Sequence, residues 1–277
     1  MIYNEIKKKF LDSGFNIDTA PSEAEFILEN VCNISFKDLF LGKVPSEELQ
    51  KKAFDVVQKR IDTKMPLQYI LNCAYFMNKK FFVNSSVLIP RPETQLLVDI
   101  SKKFINKNST ILEIGTGSGI ISIMLSLLTL NRNITAIDIS ESALDVAKIN
   151  ASMYSLQNDI TFLQSDIYEN INNKFDFIIS NPPYIPIIEK QNLQIEVKDF
   201  EPDLALFASD IYGIEFYEKI IRDASLYLNN NIGSGILFEL GINQDKLVYN
   251  LLEKYNYKKI ELYKDLSGIN RVICALI

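Results

Sequence analysis

The segment F-D-F-I-I-S-N-P-P-Y, residues 175–184, combines a strand pattern with an abrupt stop. Its first half is apolar and β-prone, which is typical of a buried strand. Pro182 and Pro183 have no backbone N–H, and each disfavours a helical conformation in the residue before it. The chain must therefore leave the sheet as a stiff, extended turn that carries one amide side chain, backbone carbonyls and one aromatic ring. An isolated Asn-Pro is most often only a strand end, so the significance of this turn depends on what precedes it.

Two features that suit a nucleoside site precede the turn. Residues 113–119 read E-I-G-T-G-S-G, and glycines let a loop turn tightly and approach a ligand closely. Asp138 follows Gly115 by 23 residues, at the predicted tip of the next strand, where an acid can accept both hydroxyls of a ribose. An NAD site would need G-x-G-x-x-G, but Ile120 occupies the last position. The loop therefore fits a nucleoside without a pyrophosphate, and S-adenosylmethionine fits that description.

Composition limits the classes of protein and of mechanism. The chain has 277 residues, of which 47% are hydrophobic and 23% charged, as in a globular protein of one large or two smaller domains. We find no run of eighteen apolar residues and no signal-peptide pattern, so we predict no membrane association. The three cysteines lack metal-type spacing and favour a reducing, cytoplasmic location.

Charge and the absence of histidine narrow the chemistry further. Without histidine, Ser-His-Asp and Cys-His mechanisms are excluded, and so are histidine metal ligands. We predict no metal. The net charge of −6, with no long basic run, argues against a face that grips duplex DNA. We therefore expect no stable nucleic-acid partner.

The spacing of apolar residues changes along the chain. Residues 1–73 have helical spacing, with Ile2, Ile6 and Phe10 on one face, a capping-box signature at Ser22, and Ser46 at the start of another helix. Residues 74–90 have the pattern of a hairpin. Seven strands are predicted beyond them, at 109–114, 134–139, 160–164, 175–180, 235–240, 259–263 and 271–277.

Helical segments separate most of these strands, so we predict a parallel, doubly wound sheet with helices on both faces. Ligands of such sheets bind at the carboxyl ends of the strands. The loop at 115–119, Asp138, Asp166 and Asn181 each lie at or just past a predicted strand end. We therefore expect all four to meet in one crevice.

Five short segments occur in a fixed order: P-L-Q-Y-I at 66–70, V-L-I-P-R-P-E-T at 87–94, I-G-T-G-S-G at 114–119, N-P-P-Y-I at 181–185 and F-E-P at 200–202. Together they resemble the class I S-adenosylmethionine-dependent methyltransferases. Within that class the sequence is similar to the HemK/PrmC group, the protein-glutamine methyltransferases that modify peptide chain release factors. The likeness runs from residue 66 to the end, and the N-terminal helices match only in kind. N-P-P-Y also occurs in DNA adenine methyltransferases, so I-P-R-P-E-T and F-E-P are the specific part.

The resemblance implies an α/β fold: a Rossmann-like, doubly wound, seven-stranded methyltransferase sheet with a small N-terminal helical domain and a β-hairpin linker. It implies a helical substrate-docking domain at 1–73, the linker at 74–90 and the catalytic domain at 91–277. The methyl donor would be S-adenosylmethionine, with S-adenosylhomocysteine as the product. The residues implied to bind it are Gly115, Thr116, Gly117, Ser118, Gly119, Asp138, Asp166, Ile167 and Asn181. The residues implied to bind the substrate are Arg91, Asn181, Pro182, Pro183, Tyr184 and Glu201.

Asn181, Pro182 and Tyr184 are the predicted catalytic residues. An amide nitrogen is a weak nucleophile that gains positive charge as it attacks a sulfonium methyl. The side-chain oxygen of Asn181 and the carbonyl of Pro182 can each accept one N–H of the target amide, and both bonds strengthen as charge develops. Tyr184 can stack on the flat amide and face the cationic donor. This route needs no general base before transfer.

The sequence leaves the acceptor open. We expect release factors as partners and a Gly-Gly-Gln glutamine as the target of a monomeric enzyme. The alternatives are a glutamine of a large-subunit ribosomal protein, an adenine amino group of DNA or RNA reached by base flipping, and a donor-binding scaffold, against which an intact N-P-P-Y argues. The chain departs from the family at Gln95 (usually Glu), Asn72 (usually Gly) and Ala208-Ser209 (usually Gly-Gly), all of which bear on the substrate pocket.

Overall fold

The computed structural model describes residues 2–229, 231 and 233–277, which form two compact units. The first consists of Met1–Cys73 together with Ile195–Phe200. The second consists of Ala74–Gln194 together with Glu201–Ile277. The sequence places residues 195–200 in the predicted domain 91–277, whereas the structure groups them with the helices. Among the described residues, no helix combines the length and the apolarity needed to cross a membrane.

The first unit is helical. Its helices are α1 (Ile2–Asp12), α2 (Ala20–Cys32), α3 (Phe36–Phe40), α4 (Glu47–Thr63) and α5 (Leu67–Ile70). The predicted face of Ile2, Ile6 and Phe10 is buried, which confirms it. Ser46 caps α4, because its Oγ accepts the backbone N–H of Leu49 at 3.4 Å.

The predicted capping box at Ser22 is wrong. Helix α2 begins earlier, at Ala20, because Pro21 fits a first turn in which its missing N–H costs no hydrogen bond. Ser22 Oγ instead donates to the carbonyl of Thr19 at 2.9 Å. A capping box does occur one helix later, where Ser35 and Asp38 cap the start of α3 reciprocally.

A buried ion-pair network holds Ile195–Phe200 to the first unit. Arg60, with a side chain only 5% exposed, donates from Nη2 to Glu23 at 2.8 Å and to Glu196 at 3.0 Å. Its Nη1 donates to the carbonyl of Lys64 at 2.6 Å. A guanidinium in this position satisfies two carboxylates from distant parts of the chain, which is the geometry that favours arginine over lysine.

The second unit begins with the hairpin β1 (Ala74–Phe76) and β2 (Lys79–Phe81), whose antiparallel pairing confirms the predicted hairpin. Its other strands are β3 (Ile111–Ile114), β4 (Ile134–Asp138), β5 (Ile160–Gln164), β6 (Phe177–Ser180), β7 (Ile185–Pro186), β8 (Phe207–Ala208), β9 (Gly235–Glu239), β10 (Lys259–Lys264) and β11 (Asn270–Leu276). The remaining helices are α6 (Thr94–Phe104), α7 (Ile120–Thr129), α8 (Glu141–Met153), α9 (Ile195–Phe200, of the first unit), α10 (Asp203–Leu206), α11 (Glu215–Tyr227) and α12 (Asp245–Lys254). A 3-10 helix covers Ile187–Asn192.

A seven-stranded sheet with the order β10-β11-β9-β6-β3-β4-β5 organises this unit. Strands β9, β6, β3, β4 and β5 are parallel, and β11 is antiparallel to both of its neighbours. Every residue of β3, β6 and β9 is buried, as expected of strands covered on both faces. One buried cluster includes residues of α6, α7 and α8, and the other includes residues of α11 and α12. The predicted fold class is confirmed, but the sheet is mixed where the sequence predicts a parallel one, because β11 is antiparallel.

Candidate active site

A cavity lies at the carboxyl ends of β3, β4, β5 and β6, the edge at which such sheets bind ligands. The predicted site residues that line it are Arg91, Gly115, Thr116, Gly117, Ser118, Asp138, Asp166, Ile167, Asn181, Pro182 and Pro183. The sequence analysis missed several further lining residues, among them Thr94, Ser140 and Phe216. The four predicted strand-end features therefore meet in one crevice.

The glycine loop after β3 owes two of its glycines to backbone conformation. Gly115 has φ +71° and Gly117 has φ +54°, in the left-handed region that favours glycine. No atom lies within 4 Å of the position that a Cβ would take at either residue, so dihedral angle rather than space requires glycine there. Gly119 differs, because it caps α7 outside the cavity lining and a Cβ would lie 3.2 Å from the Cβ of Ala147. Gly119 therefore has a packing role, and its contact with the donor stays a prediction.

Asp138 shapes this loop with both carboxylate oxygens. Oδ2 accepts the backbone N–H of Gly117 at 2.9 Å, and Oδ1 accepts that of Ser140 at 3.0 Å. Burial raises the pKa of Asp138, and these backbone hydrogen bonds oppose the rise. A carboxylate has about four acceptor positions, more than these backbone groups occupy. Asp138 can therefore accept hydroxyls from a ligand while it holds the loop.

Glu113, the acid before the loop, ties the loop to α7. Its Oε2 accepts the hydroxyl of Thr116 at 2.8 Å, the backbone N–H of Ser122 at 3.1 Å and the hydroxyl of Ser122. Its Oε1 is buried and, among the described residues, has no hydrogen-bond partner. Burial raises the pKa of Glu113 to about 7. The loop thus rests on a carboxyl group that is costly to ionise.

The N-P-P-Y turn leaves β6 beside the loop. Ser180 Oγ donates to the carbonyl of Ile114 at 2.7 Å and fixes the two strand ends together. Asn181 donates from Nδ2 to Thr94 Oγ1 at 3.3 Å. With Nδ2 engaged there, Oδ1 is the end of this amide that can accept a hydrogen bond from a ligand. Asn181 and Pro182 both line the cavity.

Tyr184 is not among the residues that line the cavity, and its stacking on the acceptor amide stays a prediction. Its ring packs against the cluster that includes α11 and α12 residues. Burial raises its pKa to about 12. A Cβ on Gly241 would lie 2.9 Å from Tyr184 Cδ2, so the ring packs closely against the backbone of Gly241.

Gln244 holds the far end of the turn, a role that its position in the sequence does not indicate. Its Nε2 donates to the carbonyls of Tyr184 at 2.9 Å, Tyr212 at 2.8 Å and Gly213 at 3.1 Å. Its Oε1 accepts the backbone N–H of Gly241 at 3.0 Å. One side chain therefore joins the turn, the start of α11 and the end of β9.

Arg91 and Glu201 bind each other. Arg91 Nη2 lies 2.7 Å from both carboxylate oxygens of Glu201, whose side chain is 2% exposed. Burial raises the pKa of Glu201, and Arg91 opposes the rise. Glu201 is not among the lining residues but holds Arg91, which does line the cavity. Its contact with the substrate stays a prediction.

The three departures from the family have local explanations. Asn72 has φ +49°, a left-handed conformation that glycine adopts freely and asparagine tolerates. Gln95 lies on the exposed side of α6 and donates to Asp99 at 3.3 Å. Ser209 donates from its backbone N–H and its hydroxyl to Glu215 at 2.8 and 2.6 Å. None of the three lines the cavity. In the part of the chain that the structure describes, no group of acidic or cysteine side chains could hold a metal ion.

Comparisons with known proteins show the family of this chain. Residues 2–71 match the family described as the PrmC N-terminal domain, and residues 92–197 match the methyltransferase small domain family. A release factor glutamine methyltransferase of Flavobacterium psychrophilum is 39% identical over 89% of this chain and 88% of its own. The chain belongs to the release factor glutamine methyltransferase family.

Other relatives of this methyltransferase differ in length or in sequence. A bifunctional methyltransferase of Rickettsia bellii is 34% identical over 96% of this chain but only 54% of its own, so the chain spans about half the length of that relative. Among solved structures, a methyltransferase from Pyrococcus furiosus superposes with a TM-score of 0.55 at 18% identity, over 79% of this chain and 96% of its own. That likeness supports the fold alone. Methyltransferases of this fold class generally take their methyl group from S-adenosylmethionine.

Proposed function

We propose that this protein transfers a methyl group from S-adenosylmethionine to the side-chain amide nitrogen of the glutamine in the Gly-Gly-Gln motif of a peptide chain release factor. We also propose that it acts as a cytoplasmic monomer without a stable nucleic-acid partner. Family membership supports the acceptor, and the cavity supports the donor.

The residues at the strand ends fit the donor. Gly115 and Gly117 leave open space beside the loop backbone, where the methionine part of the donor could approach. Asp138 would accept the ribose hydroxyls, and Asp166 and Ile167 would border the adenine. When bound, S-adenosylmethionine supplies a methyl group on a positively charged sulfur. Asn181 lines the same cavity as the residues that would hold the donor.

Asn181 and Pro182 would position the acceptor. The glutamine amide has two N–H groups, and the side-chain oxygen of Asn181 and the carbonyl of Pro182 can accept one each. Positive charge develops on the amide nitrogen during transfer, so both hydrogen bonds become stronger in the transition state. They also restrict the nitrogen to one line of approach. The turn is stiff enough for this, because Gln244 and the two prolines hold it from both ends.

One observation carries the proposal: Asn181 directs Nδ2 inward to Thr94 and lines the cavity with the rest of its amide. An acceptor that donates two hydrogen bonds from one nitrogen suits that arrangement. A glutamine after two glycines has the flexible backbone needed to enter a narrow cavity.

Labelled donor tests this directly. The enzyme would be incubated with a release factor, with the same factor in which the Gly-Gly-Gln glutamine is changed to alanine, with a large-subunit ribosomal protein fraction and with mixed DNA and RNA. We expect label in the intact factor alone. Label in the nucleic acid or the ribosomal fraction, or equal label in the alanine variant, would contradict the proposed acceptor.

A further inference from the structure

Glu239 is a buried carboxyl group next to the N-P-P-Y turn. It ends β9, and since Ser180 of β6 pairs with Phe238, the next residues along the two strands are Asn181 and Glu239. Glu239 is 2% exposed, and among the described residues its Oε2 has no hydrogen-bond partner. A carboxylate buried in this way is costly unless it is compensated.

The contacts of Glu239 lead to Asn181. The side chains of Thr94 and Asn181 both offer it hydrogen bonds. Thr94, the first residue of α6, is itself 1% exposed and accepts Asn181 Nδ2 at 3.3 Å. Arg271 attracts Glu239 electrostatically, but its Nε donates to Asp265 at 3.3 Å. The three side chains therefore form a polar group behind the turn.

Thr94 cannot by itself decide which way the Asn181 amide points. A hydroxyl both donates and accepts, so it could bond either end of the amide. An ionised carboxylate only accepts. With Glu239 taking the hydroxyl proton, Thr94 Oγ1 is left to accept from Asn181, and only Nδ2 can donate. The hydrogen bond between Asn181 and Glu239 also requires Nδ2 to point inward, because only Nδ2 can donate to a carboxylate.

We propose that Glu239 is a positioning residue that fixes the side-chain amide of Asn181 with Oδ1 toward the acceptor. The inference rests on the proposed function, in which Oδ1 receives an N–H of the acceptor amide. A reversed Asn181 would present Nδ2 to that N–H, so two donors would face each other and no hydrogen bond would form.

Protonation of Glu239 should weaken this control. Burial raises the pKa of Glu239 to about 7, and the hydrogen bonds from Thr94 and Asn181 and the charge of Arg271 oppose the rise. The other titratable groups that act on it or respond to it are Glu93, Tyr184 and Tyr217. A protonated carboxyl can donate, so it no longer restricts the direction of the hydrogen bonds. Turnover should therefore fall as the pH falls through about 7.

Glu239→Gln keeps the size of the side chain and adds a donor. With release factor as acceptor, we expect kcat to fall at least tenfold, while calorimetry gives a donor Kd within twofold of the wild-type value. The pH dependence near 7 should also be smaller than in the wild-type protein. Glu113 has a pKa of about 7 too, so the difference between the two profiles, rather than either profile alone, reports on Glu239. Glu215→Gln is the matched control, since that carboxylate binds Ser209 and Lys219 instead.

Neutron diffraction from deuterium-exchanged crystals tests the orientation without an acceptor. We expect Nδ2 of Asn181 to face Thr94 in the wild-type protein, and both orientations to occur in Glu239→Gln.

Should Glu239→Gln fail to fold, Thr94→Val breaks the same chain of hydrogen bonds and should lower kcat in the same way. Oδ1 facing Thr94 in the wild type, an unchanged kcat, or equal losses of kcat and donor affinity would each overturn the inference. A wild-type enzyme that leaves release factor unlabelled would instead refute the proposed function, and the diffraction result would still decide the role of Glu239.

Discussion

The carboxylate of Asp138 holds the glycine loop and is also proposed to bind the donor, so its removal should lower donor affinity. It accepts the N–H groups of Gly117 and Ser140, and by the proposed function it also accepts the ribose hydroxyls of the donor. Asp138→Ala should weaken S-adenosylmethionine binding by roughly 1.5–3 kcal/mol, the scale of hydrogen bonds to charged groups. Titration calorimetry measures this. Asp145→Ala, at an exposed acid on α8, is the control, and unchanged affinity in a folded Asp138 variant would exclude the assignment.

Removing the Asn181 side chain should lower the turnover rate rather than the donor affinity. Its main proposed partner is the acceptor, so Asn181→Ala should lower kcat by about a hundredfold or more, as the loss of a single transition-state hydrogen bond does in other enzymes. The donor Kd should change much less. Asn170→Ala, at an exposed asparagine after β5, should leave both values unchanged. If donor affinity and turnover fall in parallel, Asn181 mainly shapes the donor pocket.

Among the elements, the segment between β8 and α11 limits where the N-P-P-Y turn can lie. Gly213 has φ +70°, and a Cβ there would lie 2.0 Å from the carbonyl oxygen of Tyr184. Gly268 has φ +81° but no atom within 4 Å of the same position. An alanine at either position would have the same backbone strain. Only at Gly213 would its Cβ also collide with the carbonyl of Tyr184.

Gly213→Ala should therefore lower the unfolding temperature and the turnover more than Gly268→Ala does. The second variant should cost only the strain of a left-handed alanine, roughly 1–2 kcal/mol. Thermal unfolding and a methylation assay on both proteins separate strain from contact. Equal effects of the two substitutions would show that the Gly213 site can relax and that the turn is not held from this side.

The strands were predictable from the sequence, because a strand buried on both faces is a short apolar run with clear ends. The predicted strand at 160–164 coincides with β5, and those at 134–139 and 235–240 differ from β4 and β9 by one residue at one end. Helix α6 was not predicted, since it follows the prolines of I-P-R-P-E-T and has no capping signature of its own: its N-cap, Glu93, makes no side-chain cap.

The site was predictable where backbone chemistry requires a residue type, and not where a contact is made over a long sequence distance. Gly115, Gly117 and Asp138 follow from a left-handed turn and a strand tip. Gln244 contacts a carbonyl 60 positions away, and nothing in its neighbourhood signals that. The packing of Tyr184 shows the same limit, because its partners in the cluster of α11 and α12 residues lie far along the chain from the turn.

At the scale of the whole molecule, buried acids set how stability depends on pH. Burial raises the pKa values of Glu113 and Glu239 from 4.5 to about 7. Below pH 4.5 both states of the protein hold these protons. Between that pH and about 7 the unfolded chain releases them first, so the free energy of unfolding should fall as the pH rises. Acids with lowered pKa values, such as Asp38 and Glu215, act at lower pH and do not offset this.

Urea unfolding at pH 5.5 and at pH 8 measures the effect, which should amount to a few kcal/mol for the second unit. Glu239→Gln should reduce the difference between the two pH values, because it removes one of the two titrating groups. If the protein is equally stable at both pH values, other interactions offset the cost of ionising Glu113 and Glu239 in the folded protein.

The grouping of Ile195–Phe200 with the N-terminal helices has a consequence for how such enzymes can recombine. Glu23 and Arg60 lie in the first 73 residues, but their partner Glu196 is encoded far downstream, just before the F-E-P motif. A chimera that exchanged only residues 1–73 with a relative would pair foreign helices with the resident short helix. Crossovers that preserve a working enzyme should therefore carry both segments together, or retain an acid at position 196 whenever the incoming helices bring an arginine.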